Sequence, residues 1–186
     1  DIVPDGVLDE VEWAKAAPIR LEYQSNTAAV RPEMSTPVRA LWSDHFLYLA
    51  FEAPYTQLST FTPVQKAERI GLWDNDVLEA FIAPDAEHVN RYSEYEWAPT
   101  GEQLDLEVDL PSKKDFVWSS QMESAVKVDE ARKIWRVEVR IPWTALGGQK
   151  PSVGTRWRAN FFRCDKANNA YLAFSPASGY RPRASG

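Results

Sequence analysis

Two segments of the chain alternate apolar and charged residues with a period of two, and this pattern constrains the fold more than any other. In residues 104–110, leucine and valine alternate with aspartate and glutamate; in residues 135–141, apolar residues alternate with arginine and glutamate. Because successive side chains of a β-strand point to opposite faces, this alternation predicts strands with one buried face and one wet face.

Further apolar stretches, separated by turn-forming residues, also predict strands: 38–42, 46–53, 77–83, 92–97, 125–128 and 157–163. Short connections favour antiparallel pairing, since a parallel crossover needs a dozen or more residues. About nine strands with hairpin spacing predict an all-β fold, an antiparallel β-sandwich. Helical structure is predicted only as short turns, at residues 5–14, 64–70 and 142–147.

Length and charge limit the domain number and the function class. At about 150 residues per domain, 186 residues predict one domain over residues 1–186, with a poorly ordered tail from about residue 176. A net charge of -6 without a basic cluster argues against nucleic-acid binding. No apolar stretch reaches the roughly 18–20 residues of a membrane span. Because the chain starts at Asp1 without an apolar signal segment, we expect a trimmed product whose export signal is gone.

The segment 71–83 is the most informative for chemistry. Residues 77–83 are apolar on both faces apart from Glu79, and a carboxylate in such a strand must be paired or hydrogen-bonded. Trp73 lies just before it among polar residues. An exposed indole beside a partly buried carboxylate suits a sugar, whose C–H face stacks on the ring while its hydroxyls donate to the carboxylate. The alternative is that Glu79 forms a salt bridge with an arginine and Trp73 fills a loop.

A second polar cluster lies near the C-terminal end. Asn160 lies on one face of the predicted strand and Arg163 on the other, and a polar loop containing Asn168 ends at Tyr171. Asparagine and arginine offer the directional hydrogen bonds that sugar hydroxyls require, and Tyr171 is a candidate second stacking ring. The alternative is that Asn168 belongs to an ordinary turn and Tyr171 begins a core strand.

Six ordered blocks of the sequence resemble carbohydrate-binding module family 9, in particular its broad family 9-like group. The blocks run through nearly the whole chain in family order: 5–13, 40–49, 72–81, 97–101, 135–142 and 154–163, followed by Ser175-Pro176. The resemblance implies a β-sandwich that binds the end of a sugar chain between two aromatic rings, often with structural calcium. It also implies a non-catalytic binding module in an extracellular or periplasmic protein with a neighbouring catalytic domain.

Carried over by position, the resemblance assigns roles to four residues and shows two departures. Trp73 matches the first ring and Glu79 the carboxylate that hydrogen-bonds hydroxyls. Asn168 and Tyr171 match the family's Asn-x-x-Trp pair, with tyrosine in place of tryptophan. In the strand 92–97, the binding members carry an Arg-x-Asn pair, whereas this chain has Glu94 and Glu96.

The remaining expectations concern metals and other function classes. Asp74 and Asp76 are candidate calcium ligands, although no EF-hand spacing is present and acidic loop residues are usually just solvated. A b-type haem electron-transfer domain of similar fold would need axial ligands from among the methionines and histidines Met34, Met122, His45 and His88. A glycoside hydrolase would place two carboxylates across a cleft, for example Glu79 with Asp76 or Glu94. We expect no enzyme and no cofactor beyond structural calcium, and an oligosaccharide or polysaccharide as partner.

Overall fold

The computed structural model describes residues 1–25 and 27–176, in which twelve strands account for most of the regular structure. In chain order these strands are β1 (Ile19–Leu21), β2 (Tyr23–Gln24), β3 (Thr36–Trp42), β4 (Phe46–Pro54), β5 (Val77–Ala83), β6 (Arg91–Trp97), β7 (Gln103–Asp109), β8 (Lys113–Asp115), β9 (Glu123–Asp129), β10 (Ile134–Pro142), β11 (Arg158–Asp165) and β12 (Ala170–Ala173). Helical structure is limited to single 3₁₀ turns at Trp13–Lys15, Pro32–Met34, Leu72–Asp74 and Trp143–Ala145.

The strands form two antiparallel sheets. The five-stranded sheet has the order β1-β3-β4-β10-β9, and the seven-stranded sheet has the order β2-β12-β11-β5-β6-β7-β8. Each pairing between neighbouring strands is antiparallel. The predicted all-β, antiparallel β-sandwich is therefore confirmed.

The main core fills the space between the two sheets. The five-stranded sheet contributes residues such as Phe51 and Val137, and the seven-stranded sheet contributes Leu78, Tyr95 and Trp97. This arrangement follows from the alternating pattern of β10, in which Trp135, Val137, Val139 and Ile141 are all buried. Burial of this amount of apolar surface is the main force that holds two sheets together.

A second cluster of buried residues covers the outer face of the seven-stranded sheet, meaning the face turned away from the five-stranded sheet. We call it the outer cluster; its members are Leu72, Val77, Phe81, Ala83, Tyr92, Ala98, Leu104, Leu106, Val108, Phe162, Cys164 and Ala173. Half-buried Phe61, Leu110 and Phe116 pack against it. Every residue of β5 is buried, as its apolar sequence predicts for a strand covered on both sides.

Strand β7 follows its predicted pattern except at Asp105. Its leucines and Val108 are buried in the outer cluster, and Glu107 on the acidic face is exposed. Asp105 points into the sandwich and is almost completely buried, and its carboxylate accepts a hydrogen bond from the Ser120 amide at 2.9 Å. The alternation predicted the strand and its buried apolar face correctly, whereas the expectation of a wet acidic face is wrong at Asp105, because that part of the strand faces the interior of the sandwich.

The helical predictions were partly wrong. The turn predicted within 142–147 exists, but residues 64–70 form no helix, and in 5–14 only the end at Trp13 joins a 3₁₀ turn. Trp13 is buried, held by its indole N–H, which donates to Glu138 at 3.0 Å. The tail predicted to be poorly ordered from about residue 176 lies outside the described residues from residue 177 onward. Among the residues described, no helix has the length and apolar character needed to span a membrane.

Candidate functional site

A pocket of about 420 Å³ opens on the outer face of the seven-stranded sheet, at the edge of the outer cluster. Its walls combine aromatic rings, carboxyl groups and two lysines: Trp73, Asp74, Glu79, Phe81, Tyr92, Glu94, Lys114, Lys166 and Tyr171. A volume of this size is in the range of small-molecule sites, and a few polar groups among apolar walls are typical of them.

Trp73 stands at the rim because the residues on either side fix its turn. Gly71 has φ of 92°, in the left-handed region that favours glycine, and it starts the 3₁₀ turn Leu72–Asp74. Leu72 is fully buried in the outer cluster and anchors the turn. The next side chain therefore points outward, and 37% of Trp73 is exposed. The alternative in which Trp73 fills a loop does not describe this geometry.

Tyr171 lines the same pocket from β12. Its Cα partner is Cys164, which places its side chain on the outer face of the sheet. The Lys166 ammonium donates to the Tyr171 hydroxyl at 3.2 Å and lies 5.3 Å from the ring centroid. Tyr171 does begin a buried strand, as the alternative interpretation held, and it nevertheless leaves its half-exposed ring at the pocket.

Glu79 forms part of the pocket floor and is only 1% exposed. Its Cα partners are Glu96 on β6 and Phe162 on β11. No arginine or lysine of the described chain forms an ion pair with Glu79, and its Oε2 has no hydrogen-bond partner there. Burial raises the pKa of Glu79 well above its usual range, and the charge of Glu94 raises it further.

Glu94 and Glu96 lie on the same face of β6, two residues apart, beside Glu79. Burial raises the pKa of Glu94. The pKa of Glu96 rises to about 10 through burial first and then through the charges of Glu79 and Glu94. A hydrogen bond between Glu94 and Glu96 requires a proton on one of them, and the pKa shifts place it on Glu96. The three carboxyl groups thus form one coupled acidic floor.

Two lysines of the pocket were not singled out from the sequence. Lys114 lies on β8 opposite Val108, and its positive charge lowers the pKa values of Glu94 and Glu96. Lys166 belongs to the turn that joins β11 to β12. Strand β8 has only three residues and no apolar pattern, so only the sheet register reveals that Lys114 reaches this face.

Arg163, predicted to bind hydroxyls, lies inside the sandwich, and that prediction is corrected here. Its Cα partners are Leu78 and Leu172, both in the main core. Its guanidinium donates to Thr36 Oγ1 at 2.8 Å, to the carbonyl oxygens of Met34 and Pro54, and to Asp165 Oδ2 at 2.6 Å. These partners engage both terminal nitrogens of the guanidinium inside the protein.

Asn160 and Asn168 also lie outside the pocket lining. The Asn160 Oδ1 accepts hydrogen bonds from the amides of Phe161 at 3.0 Å and Ser175 at 3.3 Å, which joins the strand to the chain beyond β12. The Asn168 Nδ2 donates to both carboxylate oxygens of Asp165 and, at 3.2 Å, to Thr56. Both side chains therefore bind the protein, and we no longer assign hydroxyl binding to them.

The candidate calcium ligands do not form a cage. Both carboxylate oxygens of Asp76 accept backbone amides, from Ser59 at 3.0 Å and Lys166 at 2.8 Å, while Asp74 is exposed at the pocket. Within the described ranges, no three His, Cys, Asp or Glu side chains are arranged to hold a metal ion. The residues present therefore do not fit a calcium site between Asp74 and Asp76.

The haem ligands considered from the sequence lie in different environments, the methionines in the core and the histidines at the surface. Met34 and Met122 are buried in the main core. His45 and His88 are exposed on loops, where each contacts an aspartate, Asp1 at 3.0 Å and Asp85 at 2.6 Å. No Met–His pair among these four residues faces a common space, so the arrangement does not suit an axial pair.

A larger groove of about 1130 Å³ lies on the other sheet, between the N-terminal segment and the strands β3, β4, β9 and β10. At its centre the charges are paired within the protein: Glu52 accepts from Arg39 at 2.8 Å and from Arg136 at 3.2 Å. Aromatic residues contribute little to its walls, apart from the buried Trp13. The smaller pocket, with its exposed rings and unpaired acids, is the better candidate site.

Comparison with known families agrees with this fold. The family described as carbohydrate family 9 binding domain-like matches residues 3–172 of this chain. The chain belongs to this family, and the resemblance found in the sequence is confirmed. A curated relative from Arthroderma benhamiae, described as an extracellular protein, is 28% identical over 163 residues, which cover 81% of this chain and 72% of the relative.

Three solved structures have the same fold. A Bacteroides uniformis protein of proposed carbohydrate-binding function has a TM-score of 0.72 at 14% identity, covering 93% of this chain and 83% of its own. A family 9 carbohydrate-binding module from Caldicellulosiruptor kristjanssonii, in complex with glucose, has a TM-score of 0.64 at 17% identity, covering 94% and 81%. Its complex with cellotriose has a TM-score of 0.65 at 17% identity, covering 94% and 80%.

Proposed function

We propose that this chain is a non-catalytic carbohydrate-binding module whose ligand enters the pocket between Trp73 and Tyr171. The observation that carries the proposal is an exposed indole at the rim of a pocket whose floor holds a buried, unpaired carboxyl group. Membership of the family 9-like group supports it, as do the glucose and cellotriose complexes of the Caldicellulosiruptor kristjanssonii module.

Each part of the pocket has a physical role in this proposal. The flat face of a pyranose presents C–H groups that pack on the Trp73 indole and on the Tyr171 ring. The Glu79 carboxyl group on the floor hydrogen-bonds sugar hydroxyls that point into the pocket. A small contact area and hydrogen bonds that compete with water leave little surplus free energy, so we expect weak binding.

The arrangement of acids favours binding over hydrolysis. A glycosidase places its two carboxyl groups on opposite sides of the scissile bond. Glu79 and Glu94 share one face of one sheet, so both approach a bound sugar from the same side. Asp76 directly precedes β5, and it does not line the pocket. Both of its carboxylate oxygens accept hydrogen bonds from backbone amides. A neighbouring catalytic domain in a longer protein stays a prediction.

We also propose an extracellular location, on the grounds that the Arthroderma benhamiae relative is described as an extracellular protein. A sugar-binding pocket exposed on a protein outside the cell would meet polysaccharide directly. The periplasm stays an alternative from the family resemblance.

The decisive experiment is a glycan array followed by titration of the best ligand, using the wild type and Trp73→Ala. We expect the variant to lose at least about tenfold in affinity, because it removes the exposed stacking surface. Trp42→Ala is the matched control: Trp42 is 70% exposed but lies on the five-stranded sheet, away from the pocket. Circular dichroism should show that both variants are folded. Equal binding by wild type and Trp73→Ala would move the site elsewhere.

A further inference from the structure

The acidic floor of the pocket brings three buried carboxyl groups together with few hydrogen-bond donors from the protein. One oxygen of Asp105 also lacks a partner in the described chain, but Asp105 lies inside the sandwich and does not line the pocket. The other nearly buried carboxylates accept hydrogen bonds from the protein: Asp76, Glu102, Asp105, Glu138 and Asp165. On the floor, Glu79 Oε2 has no hydrogen-bond partner among the described residues, and Glu96 has no partner there other than the neighbouring acid Glu94. Buried polar groups are nearly always satisfied, so a set that is not satisfied indicates a missing ligand.

The floor also lacks a paired cation. No ion pair shorter than 4.0 Å joins Glu79, Glu94 or Glu96 to a lysine, arginine or histidine within residues 1–25 and 27–176. Lys114 also lines the pocket, where it is exposed to solvent and its charge lowers the pKa values of Glu94 and Glu96 without forming an ion pair with them. Lys166 donates to the Tyr171 hydroxyl. The three carboxyl groups therefore have positive charges nearby but no directly paired cation among the described residues.

The sheet register concentrates these groups at one spot. Glu79 and Glu96 are direct Cα partners in an antiparallel pair, and such partners lie about 4.5–5.5 Å apart. Glu94 is the next residue of β6 on the same face, and it lines the pocket together with Glu79. Trp73 and Tyr171 stand above them at the rim.

We propose that the pocket prefers a sugar that carries a free amino group, and that Glu79 and Glu94, which line the pocket, receive its ammonium with the buried Glu96 beside them. This inference rests on the proposed function and specifies its ligand class. The rings hold the pyranose, as for a neutral sugar, while an ammonium brings three N–H donors and a positive charge to a group of carboxyl groups. A hydroxyl at the same carbon provides one donor and no charge.

The pKa shifts agree with this geometry. Without ligand, burial and mutual repulsion keep protons on the floor. An ammonium in contact with the floor favours the charged carboxylates, so binding must release protons. A neutral sugar has no charge to offset and releases few or none.

The experiment compares three trisaccharides that share β-1,4 linkages and differ at one carbon: the glucosamine trimer, its N-acetylated form and cellotriose. Calorimetric titration at about pH 6, where the amine is protonated, should give at least about tenfold tighter binding for the glucosamine trimer than for the other two, equivalent to about 1.4 kcal/mol. Repeating the titration in buffers of different ionisation enthalpy should show proton release with the glucosamine trimer only.

The double variant Glu94→Gln/Glu96→Gln tests the source of this preference. It keeps the shape of the floor and removes two of its three ionisable groups, so the ratio of the affinities for the glucosamine trimer and for cellotriose should fall to within about twofold of unity. Glu107→Gln is the matched control, because Glu107 lies on the adjacent strand β7 and is exposed, with its side chain on the opposite face. It should keep the preference.

The outcomes separate this inference from the proposed function. Equal affinity for all three trisaccharides, or proton release equal for the glucosamine trimer and cellotriose, would overturn the amino-sugar preference and leave sugar binding standing. A preference that survives in the double variant would also overturn it, since the charge would come from elsewhere. Absence of binding to all sugars of the array as well as to the trisaccharides would overturn the proposed function itself.

Discussion

The seven-stranded sheet carries a buried ionic cluster on each of its two faces, and the two clusters are built on opposite principles. On the inner face, Arg163 and Asp165 form an ion pair at 2.6 Å, and both terminal guanidinium nitrogens and both carboxylate oxygens have protein partners. On the outer face, Glu79, Glu94 and Glu96 meet with neither an ion pair nor a full set of donors in the described chain. The two clusters lie within one residue of each other in register: Phe162, next to Arg163, is the Cα partner of Glu79.

This difference indicates what each cluster is for. A buried charge that is completely paired joins elements of the fold, and here Arg163 connects β11 to the chain near Met34, Thr36 and Pro54. A buried acid without donors destabilises the folded protein unless it binds a proton or a ligand. In this sheet, the presence or absence of hydrogen-bond partners for the buried polar atoms distinguishes the structural group from the proposed ligand-binding group. The type of residue alone does not make this distinction.

The largest expected effect is on the inner cluster. Arg163→Met should lower the free energy of unfolding by about 3–5 kcal/mol, because Asp165 stays buried without its cation. Urea denaturation at neutral pH measures this difference. Arg132→Met is the control: Arg132 forms an exposed ion pair with Asp129 at 3.7 Å, and such pairs contribute less than about 1 kcal/mol. A loss for Arg163→Met as small as that of the control would contradict the structural role of this cluster.

Removing a charge from the acidic floor on the outer face should stabilise the folded protein, the opposite of the effect on the inner face. The pKa of Glu96 is about 10 in the folded protein and near 4.5 in the unfolded chain, so the folded state binds this proton more tightly. Its contribution to stability is complete below the unfolded pKa and is lost as pH rises toward the folded pKa. Glu96→Gln should therefore raise Tm by at least about 3 °C near pH 9 and have little effect near pH 4.

Thermal unfolding across this pH range, with Glu107→Gln as the exposed control, measures the effect of Glu96→Gln. The control should follow the wild-type curve. If the wild type and Glu96→Gln have parallel curves of Tm against pH, the carboxyl group of Glu96 does not hold its proton in the folded state, and the contrast between the two faces is lost.

The smallest expected effect concerns the ring at the other side of the pocket. Tyr171→Trp should bind sugar about threefold more tightly, since an indole offers a larger stacking surface than a phenol. Tyr171→Phe keeps the ring and removes only the hydroxyl that accepts from Lys166 at 3.2 Å, so it should bind within about twofold of the wild type. Titration with cellotriose compares the three proteins. If Tyr171→Trp binds no better than Tyr171→Phe, the ring does not contact the ligand.

The sequence predicted the sandwich because the strands that build it carry their own pattern. The boundaries predicted for β5 coincide with the structure, and β10 differs by one residue at each end. Strands β1, β2 and β8 were missed because they have only two or three residues each, and their pairing with neighbours rather than their own sequence makes them strands.

The site was predictable only in part, for a similar reason. Spacing along one segment indicated Trp73 and Glu79, which the structure brings to one pocket. Whether the Arg163 face or the Asn160 face of β11 turns outward depends on sheet pairing, which a single strand does not encode. The acidic floor arises from register between β5 and β6. The sequence therefore showed Glu96 only as a departure from the family pattern, and Glu94 as a departure and as one candidate partner of Glu79 in a hydrolase.

The outer cluster gives the seven-stranded sheet an apolar layer on each side, and the pocket borders the layer that the sandwich does not need for joining its two sheets. Substitutions in this layer would change the walls of the pocket and leave the core between the two sheets intact. The outer face can therefore vary among proteins that share this architecture, and the solved structures share it at 14–17% identity.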